Sequence, residues 1–333
     1  MALEKIQLIA QPASEQELRL DQYLARALPP FRGQALSRAK IRQLIVLGGV
    51  YVNRRRVRRA STPVQSGDKI EVVFDPARLW SSQSQPKAVF QDSDILFEDA
   101  DFIFVNKPAG IPSQPTLDDA RDNLWTALKK HLEKRPGGPG YVGLHHRLDH
   151  DTSGVMVFTK SKRANKPLAD LFREHGVQKT YLALAPNTEK LNAGHTWIIQ
   201  NHLGQDRSQK KRLKMKSVLS GGQLAVTKLE VLLSQPTALL IQAQPQTGRT
   251  HQIRVHLSEA GYPILGDFLY GPTERKAPRV MLHAAALEFL HPFQKTSLRI
   301  EAPIPKDFLE LMESLGLSSE NLKRPKKEVK PRS

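Results

Sequence analysis

Between Tyr23 and Ser66 the chain carries ten basic side chains, Arg26, Arg32, Arg38, Lys40, Arg42, Arg54, Arg55, Arg56, Arg58 and Arg59, and not one acid. Such a stretch must fold with its charges outward, screened by solvent or by a polyanion, and phosphate neutralisation with counterion release is the commonest use of that surface. Its apolar residues suit a small module: Leu20, Tyr23, Leu24 and Leu28 repeat as one helix face, and Ile41, Leu44 and Ile45 as a second. Ser37 is placed to cap the second helix and Gly48-Gly49 to stop it. Residues 50–53 then alternate as a strand, and residues 69–74 do so after the Gly67-Asp68 turn signal. A small α+β module over residues 18–75 is expected.

The whole chain, 333 residues long, has room for a second, larger domain. Its 50 Lys plus Arg against 33 Asp plus Glu give a formal charge of +17, which favours a polyanionic partner and leaves RNA, DNA and acidic membranes open. Cysteine is absent, which excludes disulfides, a thiolate nucleophile and Cys-rich zinc sites, and suits a reducing cytoplasm. The N-terminus shows no basic segment leading into an apolar core, and no apolar run approaches the roughly 18 residues of a membrane span, so neither export nor a membrane partner is expected.

Residues 76–88, rich in Pro, Ser and Gln, read as a linker. Beyond it, strand-like runs at 102–105, 155–158, 181–184, 227–232 and 238–241 are only partly separated by helical stretches at 124–133, 164–174 and 250–260. The expected fold class is α+β, with a mixed, largely antiparallel sheet flanked by helices over residues 89–315. Residues 316–333, almost without apolar content, read as a basic disordered tail.

Chemistry concentrates in His145-His146-Arg147-Leu148-Asp149-His150-Asp151-Thr152-Ser153-Gly154, directly before a strand. A carboxylate, a guanidinium, hydroxyls and a glycine at one strand entry have the composition of a site, although a salt-bridged loop with an ordinary turn has the same letters. The His150-Asp151 pair, with His145, His146, His251 and His256, also raises a metal-dependent phosphohydrolase. A second basic cluster, Arg207, Lys210, Lys211, Arg212, Lys214 and Lys216, lies between strand-like regions and reads as a phosphate-contacting loop or a solvated one.

Two resemblances narrow this choice. LSRAKIRQLI, GGVYVN and VQSGDKIEV resemble, in order, the S-four-type RNA-binding domain, with the departure that Arg54 follows Asn53 where that family usually has glycine. HRLDHDTSG resembles the signature of the RluA family of pseudouridine synthases, and VNKPAGIP, QKTYLAL, TGRTHQIRVHL, GYPILGDFLYG and LHAAALEFLHP follow as further words of that family across the large domain.

The resemblance implies isomerisation of uridine to pseudouridine in structured RNA, without cofactor or metal; a cytoplasmic location and a monomer are expected beside it. The family's catalytic carboxylate falls on Asp149, its partner arginine on Arg254 and its active-site tyrosine on Tyr181. Arg147 takes the place of the residue that occupies space vacated by the flipped base, Leu148 and Ile253 supply apolar walls, and Thr152 belongs to the same substrate-binding loop. Thr250 is placed to cap the helix bearing Arg254, and Gly261 to end it. Arg38, Arg42, Arg54, Arg55, Arg56, Lys210, Lys211 and Arg212 are the RNA-contacting candidates. Large-subunit ribosomal RNA is the favoured target; transfer RNA, and a non-catalytic role in RNA binding during ribosome assembly, are the alternatives.

Overall fold

The computed structural model describes residues 4–11, 18–30, 35–46, 48–57, 59–74, 90–115, 123–136, 138, 140–206, 214–272, 277–318 and 320. The linker assigned to 76–88, the basic residues 207–213 and most of the tail lie outside them, while Leu317, assigned to that tail, is buried in the core of the second unit. The chain divides into two compact units, Met1–Val89 with Gln114–Leu128, and Phe90–Ser113 with Lys129–Ser333.

In the first unit, strands β1 (Glu4–Ile9), β3 (Val50–Val52), β4 (Arg55–Val57) and β6 (Lys69–Phe74) form a sheet in the order β1-β6-β3-β4, while β2 (Leu18–Arg19) pairs with β5 (Pro63–Val64). The expectation opened the module at Leu18, yet β1 runs antiparallel to the whole of β6, Glu4 opposite Phe74 and Ile9 opposite Lys69. Helices Leu20–Ala27 and Arg38–Val46 bring Leu20, Leu24, Ile41 and Ile45 into one core with Val50, Ile70 and Val72. Ser37 Oγ accepts from the Lys40 amide at 3.3 Å, and the amides of Gly48 and Gly49 close the helix on the carbonyls of Ile45 and Leu44.

The β3–β4 hairpin turns at Asn53 and Arg54, both left-handed at φ 50° and 66°, as a two-residue primed turn requires. Arginine there lacks glycine's freedom. The turn is held from outside: Asn53 Nδ2 donates to Asp68 Oδ1 at 2.7 Å and its Oδ1 accepts from the Lys69 amide at 3.0 Å.

The second unit is built on one 11-stranded sheet. Its strands are β7 (Ile95–Glu98), β8 (Phe102–Lys107), β9 (Gly143–Leu144), β10 (Ser153–Thr159), β11 (Gln178–Pro186), β12 (Thr196–Gln205), β13 (Met215–Ser217), β14 (Gln223–Ser234), β15 (Ala238–Pro245), β16 (Leu282–Leu290) and β17 (Ser297–Glu301). The order is β13-β12-β14-β15-β11-β16-β10-β8-β7, with β17 on β16 and β9 on β10. All pairs are antiparallel except β10 with β16, so the expected mixed, largely antiparallel α+β sheet is what forms. Helices cover it over Asn165–Arg173, Gln252–Glu259 and Lys306–Ser314, each slightly shorter than, or absent from, the sequence pattern. Ile253, Leu257, Phe308 and Met312 pack with β11 and β15 in one core, and Leu168 with Phe104, Val155 and Val157 in another.

The parallel pair creates the site's position. Gly154 lies opposite Ala284 at φ 120°, where a Cβ would come within 2.1 Å of the Ala284 carbonyl oxygen, so only glycine lets β10 enter there. On its other side Ala284 faces Tyr181 of β11, just after a register shift between Thr180 and Tyr181. Such a bulge re-aims the side chain that follows it. Tyr181 thus stands two strand spacings, roughly 10 Å of sheet, from the entry to β10, where the Asp149 loop arrives.

Candidate active site

The loop before β10 owes its shape to backbone groups held from below. Lys107, at the end of β8, is fully buried and its Nζ donates to the carbonyls of Pro108 (3.0 Å), His150 (3.0 Å) and Thr152 (2.7 Å). Burial pulls this amine down to about 7, against the charges of Asp151 and Asp149. Ser113 binds both ends of Leu148, donating to its carbonyl at 2.8 Å and accepting from its amide at 3.0 Å. The Thr152 amide returns to the Asp149 carbonyl at 3.2 Å. A loop tied at 148, 150 and 152 leaves Asp149 little freedom of backbone.

Asp149 Oδ2 accepts from Arg254 Nη1 at 3.0 Å. The other edge of that guanidinium is clamped by Asp267, with Nε to Oδ2 at 2.7 Å and Nη2 to Oδ1 at 2.9 Å, and its plane lies 5.1 Å from the centre of the Tyr270 ring. Burial opposes the charge on Arg254, but the hydrogen bonds and charges of Asp267 and Asp149 outweigh it and hold the cation above its ordinary range. Exposure is graded along this chain: the Asp267 side chain is 0% exposed, that of Arg254 11% and that of Asp149 28%. The carboxylate at the outer end is therefore the one within reach of a ligand. Its Oδ1 has no hydrogen bond among the described residues.

Asp267 was not among the sequence candidates. It follows Gly266, left-handed at φ 79°, where a Cβ would stand 1.8 Å from the Arg279 carbonyl oxygen, so that only glycine fits. Its Oδ1 also takes the amides of Leu269 and Tyr270 at 3.1 and 3.2 Å. The GYPILGDFLYG word held the signal, but only the fold shows that the aspartate faces an arginine.

Tyr181 is partly buried against the core that includes Ile253, and burial together with the Asp149 charge pushes its phenol well above the ordinary tyrosine range. The hydroxyl is therefore protonated at neutral pH. Arg147 is exposed and donates from Nη2 to Thr250 Oγ1 at 3.0 Å. That bond corrects the expected cap: the helix bearing Arg254 begins after His251, which is left-handed and makes no side-chain cap, and Thr250 serves Arg147 instead. Gly261, at φ 88°, does follow the helix end, with the amides of Gly261 and Tyr262 closing on Ser258 and Leu257. Leu148 and Ile253 are buried, and Thr152 is buried with its backbone spent in the turn under Asp149.

The histidines that raised a metal reading each have another partner. His146 Nε2 accepts from the Val157 amide at 3.0 Å, His145 meets Thr159 and Asn165, His150 meets Asp151, and His256 lies between Thr227 and Asn201. Among the described residues no three His, Asp or Glu side chains converge as metal ligands.

Of the basic candidates, Arg42 Nε donates to Asp21 Oδ2 at 2.6 Å, with Arg38 at 3.8 Å from the same oxygen. Arg56 is engaged with the Tyr51 hydroxyl at 2.6 Å, and Arg54 and Arg55 are exposed. Lys210, Lys211 and Arg212 lie outside the described residues. The described residues that follow them come to the site: Lys214 Nζ lies 5.6 Å from the Tyr270 ring centre and the Met215 amide donates to the Tyr270 hydroxyl at 2.9 Å.

A model of the RNA pseudouridylate synthase family matches residues 101–259, and one of the S4 domain matches residues 18–70. The chain is 36% identical over 250 residues to YhcT of Bacillus subtilis, named an uncharacterized RNA pseudouridine synthase, an alignment covering 74% of this chain and 79% of that one. The chain belongs to the RNA pseudouridine synthase family.

This synthase is also 34% identical over 314 residues to a Neisseria meningitidis protein named ribosomal large subunit pseudouridine synthase D, covering 90% of this chain and 79% of the relative. A solved human structure titled RNA pseudouridylate synthase domain containing 4 matches 67% of this chain and 93% of its own at 27% identity, with a TM-score of 0.51. The resemblances drawn from HRLDHDTSG and from LSRAKIRQLI are thereby borne out, and the synthase is an RNA-modifying isomerase with an RNA-binding S4 domain.

Proposed function

We propose that the synthase isomerises uridine in structured large-subunit ribosomal RNA, with Asp149 as the catalytic carboxylate. The observation that carries this reading is the Asp149–Arg254 ion pair, 3.0 Å long and more open to solvent at the carboxylate than at the arginine. Isomerisation detaches uracil from ribose, turns it and rejoins it through carbon. That calls for a carboxylate that attacks the ring or the anomeric carbon, or that assists elimination; every route needs an ionised oxygen free to meet the nucleoside. The guanidinium at hydrogen-bond distance holds one carboxylate oxygen in place and leaves the other to meet the nucleoside.

The other roles follow from placement. A target uridine has to leave its stack at a cost of a few kcal/mol. Arg147, exposed and steadied by Thr250, is the planar cation that takes the vacated space and holds phosphate. Tyr181 stacks on the everted base, worth about 1–3 kcal/mol. Arg54 and Arg55, with the loop that ends at Lys214, take backbone phosphates. The ribosomal target rests on the names of relatives and on the S4 domain, and a cytoplasmic location goes with it.

Pseudouridine mapping in ribosomal and transfer RNA from cells carrying wild-type protein or Asp149→Ala tests the proposal. One or a few large-subunit uridines should lose modification while the variant still binds RNA. An unchanged map in both pools defeats the assignment, and a loss confined to transfer RNA replaces the target.

A further inference from the structure

His251 has no part in the chemistry described so far, yet it occupies an unusual place. It stands one residue before the Gln252–Glu259 helix with a left-handed backbone, φ 56° and ψ 20°, which side chains other than glycine's rarely adopt. A cap of Ser, Thr, Asp or Asn in extended conformation is the ordinary solution there. What the left-handed turn achieves is the aim of the ring: Nδ1 lies 2.7 Å from the Tyr270 hydroxyl and Nε2 lies 3.8 Å from Asp149 Oδ2.

The hydrogen-bond partners favour one tautomer of the imidazole. The Tyr270 oxygen already accepts from the Met215 amide at 2.9 Å, and with that position filled its own proton is assigned to Nδ1 of His251, 2.7 Å away. Nδ1 is then the acceptor, and a neutral ring carries its proton on Nε2, the nitrogen facing the carboxylate. Burial favours the neutral ring, Asp149 and Asp267 favour the charged one, and Arg254 and Arg147 oppose it; the balance lowers the histidine below its usual range.

We propose that His251 is a positioning residue for Asp149, a neutral imidazole locked by Tyr270 into the tautomer that presents Nε2–H to Oδ2. The proposal rests on Asp149 being the catalytic carboxylate. Arg254 and His251 then address the same oxygen from two sides, which fixes the carboxyl plane and leaves Oδ1 as the oxygen presented to the nucleoside. At 3.8 Å the second contact is longer than a hydrogen bond, and a closure of under 1 Å as substrate excludes water completes it. A neutral donor orients the acid without adding a second full cation that would blunt its reactivity.

The tests use the full chain and a protein-free large-subunit ribosomal RNA transcript tritiated at uridine C5, since forming the new carbon bond releases that hydrogen to water. His251→Asn keeps a residue tolerant of the left-handed backbone but withdraws the donor from Asp149. It should lower kcat roughly tenfold to hundredfold with KM changed less than about twofold; this corresponds to about 1.4–2.7 kcal/mol. Tyr270→Phe should give a smaller loss of the same kind. Nitrogen-15 spectra of the wild-type protein should show the Nε2–H tautomer at neutral pH, with Nδ1 protonation appearing in Tyr270→Phe. An Nδ1–H or doubly protonated ring in the wild type, an unchanged kcat in a folded His251→Asn, or an effect confined to KM would each overturn the proposal. The wild-type spectra decide it even if the variant does not fold. Should Asp149→Asn remain active, the reading of the site falls; should that variant be dead while His251→Asn turns over normally, only this inference does.

Discussion

Asp21 and Asp149 are both aspartates met by arginine, one in each unit, and they are built for opposite ends. The Asp21 side chain is 0% exposed with both oxygens taken, Oδ1 by Arg19 at 3.2 Å and Oδ2 by Arg42 at 2.6 Å. Asp149 is 28% exposed, uses one oxygen and shares its arginine with Asp267. A carboxylate whose hydrogen-bonding capacity is consumed by partly exposed arginines holds a basic module together. One that keeps an oxygen free, with its cation anchored from behind, is available for chemistry. The ion pair alone does not tell the two apart; the spare oxygen and the buried second acid do.

The largest break in that comparison is expected from Asp149→Asn, which should cut tritium release by roughly 10⁴-fold, about 5 kcal/mol of barrier, with the melting temperature unchanged. A stable and active Asp149→Asn would erase the distinction. Arg254→Met should lower turnover by about 10²-fold and also cost about 3 kcal/mol of folding stability, because it leaves Asp267 buried without its cation. Adding Asp267→Leu should recover stability by denaturant titration and none of the activity; recovery of activity would show that Arg254 serves only Asp267.

Acid should separate the units. Burial lowers His146 to about 3 and His256 and His283 to about 4, so these rings refuse protons that the unfolded chain takes up near 6.5. Stability of the large unit therefore falls as pH drops from about 6.5 toward 4. The small unit contains no histidine. Burial tends to raise Asp21, but Arg42 and Arg19 outweigh it and hold it below 3.8, so its contribution persists above that value and is lost only as pH falls beneath it. Thermal unfolding followed at pH 7 and pH 5 should show the large unit's transition moving down while the small unit's stays; a common shift counts against the histidine account.

Asp21→Asn should weaken the small unit by about 1–3 kcal/mol, less than a fully buried pair because its arginines are half exposed, and should raise KM without touching kcat. Smallest are Arg54→Ala and Arg55→Ala, which should leave folding intact, weaken RNA binding a few-fold and each reduce the slope of log affinity against log salt by roughly 0.7–0.9. A salt slope equal to that of the wild type removes either residue from the phosphate contacts.

Much of the layout is readable in the chain because it rests on local period and turn chemistry. Lys69–Phe74 and Leu124–Glu133 form where their patterns place them, and the HRLDHDTSG run stands at a strand entry. Thr196–Gln205 escaped notice because Ile198 faces out while Asn201 and Leu203 share the opposite side, which blurs the alternation. Leu282–Leu290 has a run of three alanines, weak strand formers, at its centre and becomes a strand because β10, β11 and β17 pair with it. Glu4–Ile9 likewise takes its place from a partner sixty to seventy residues away.

By itself the sequence determined the family, the basic character of the small module, and the identity of Asp149 and Arg254 as partners, since these live in contiguous words and in charge. Only the tertiary structure decided that Asp267 clamps that arginine, that Thr250 holds Arg147 instead of capping a helix, that Lys107 pins the Asp149 loop and that His251 looks at the acid. The reason is geometric: each of these depends on directions set by a bulge, a parallel strand entry or a left-handed turn, and a hydrogen bond is satisfied by direction and distance, which one-dimensional order does not carry.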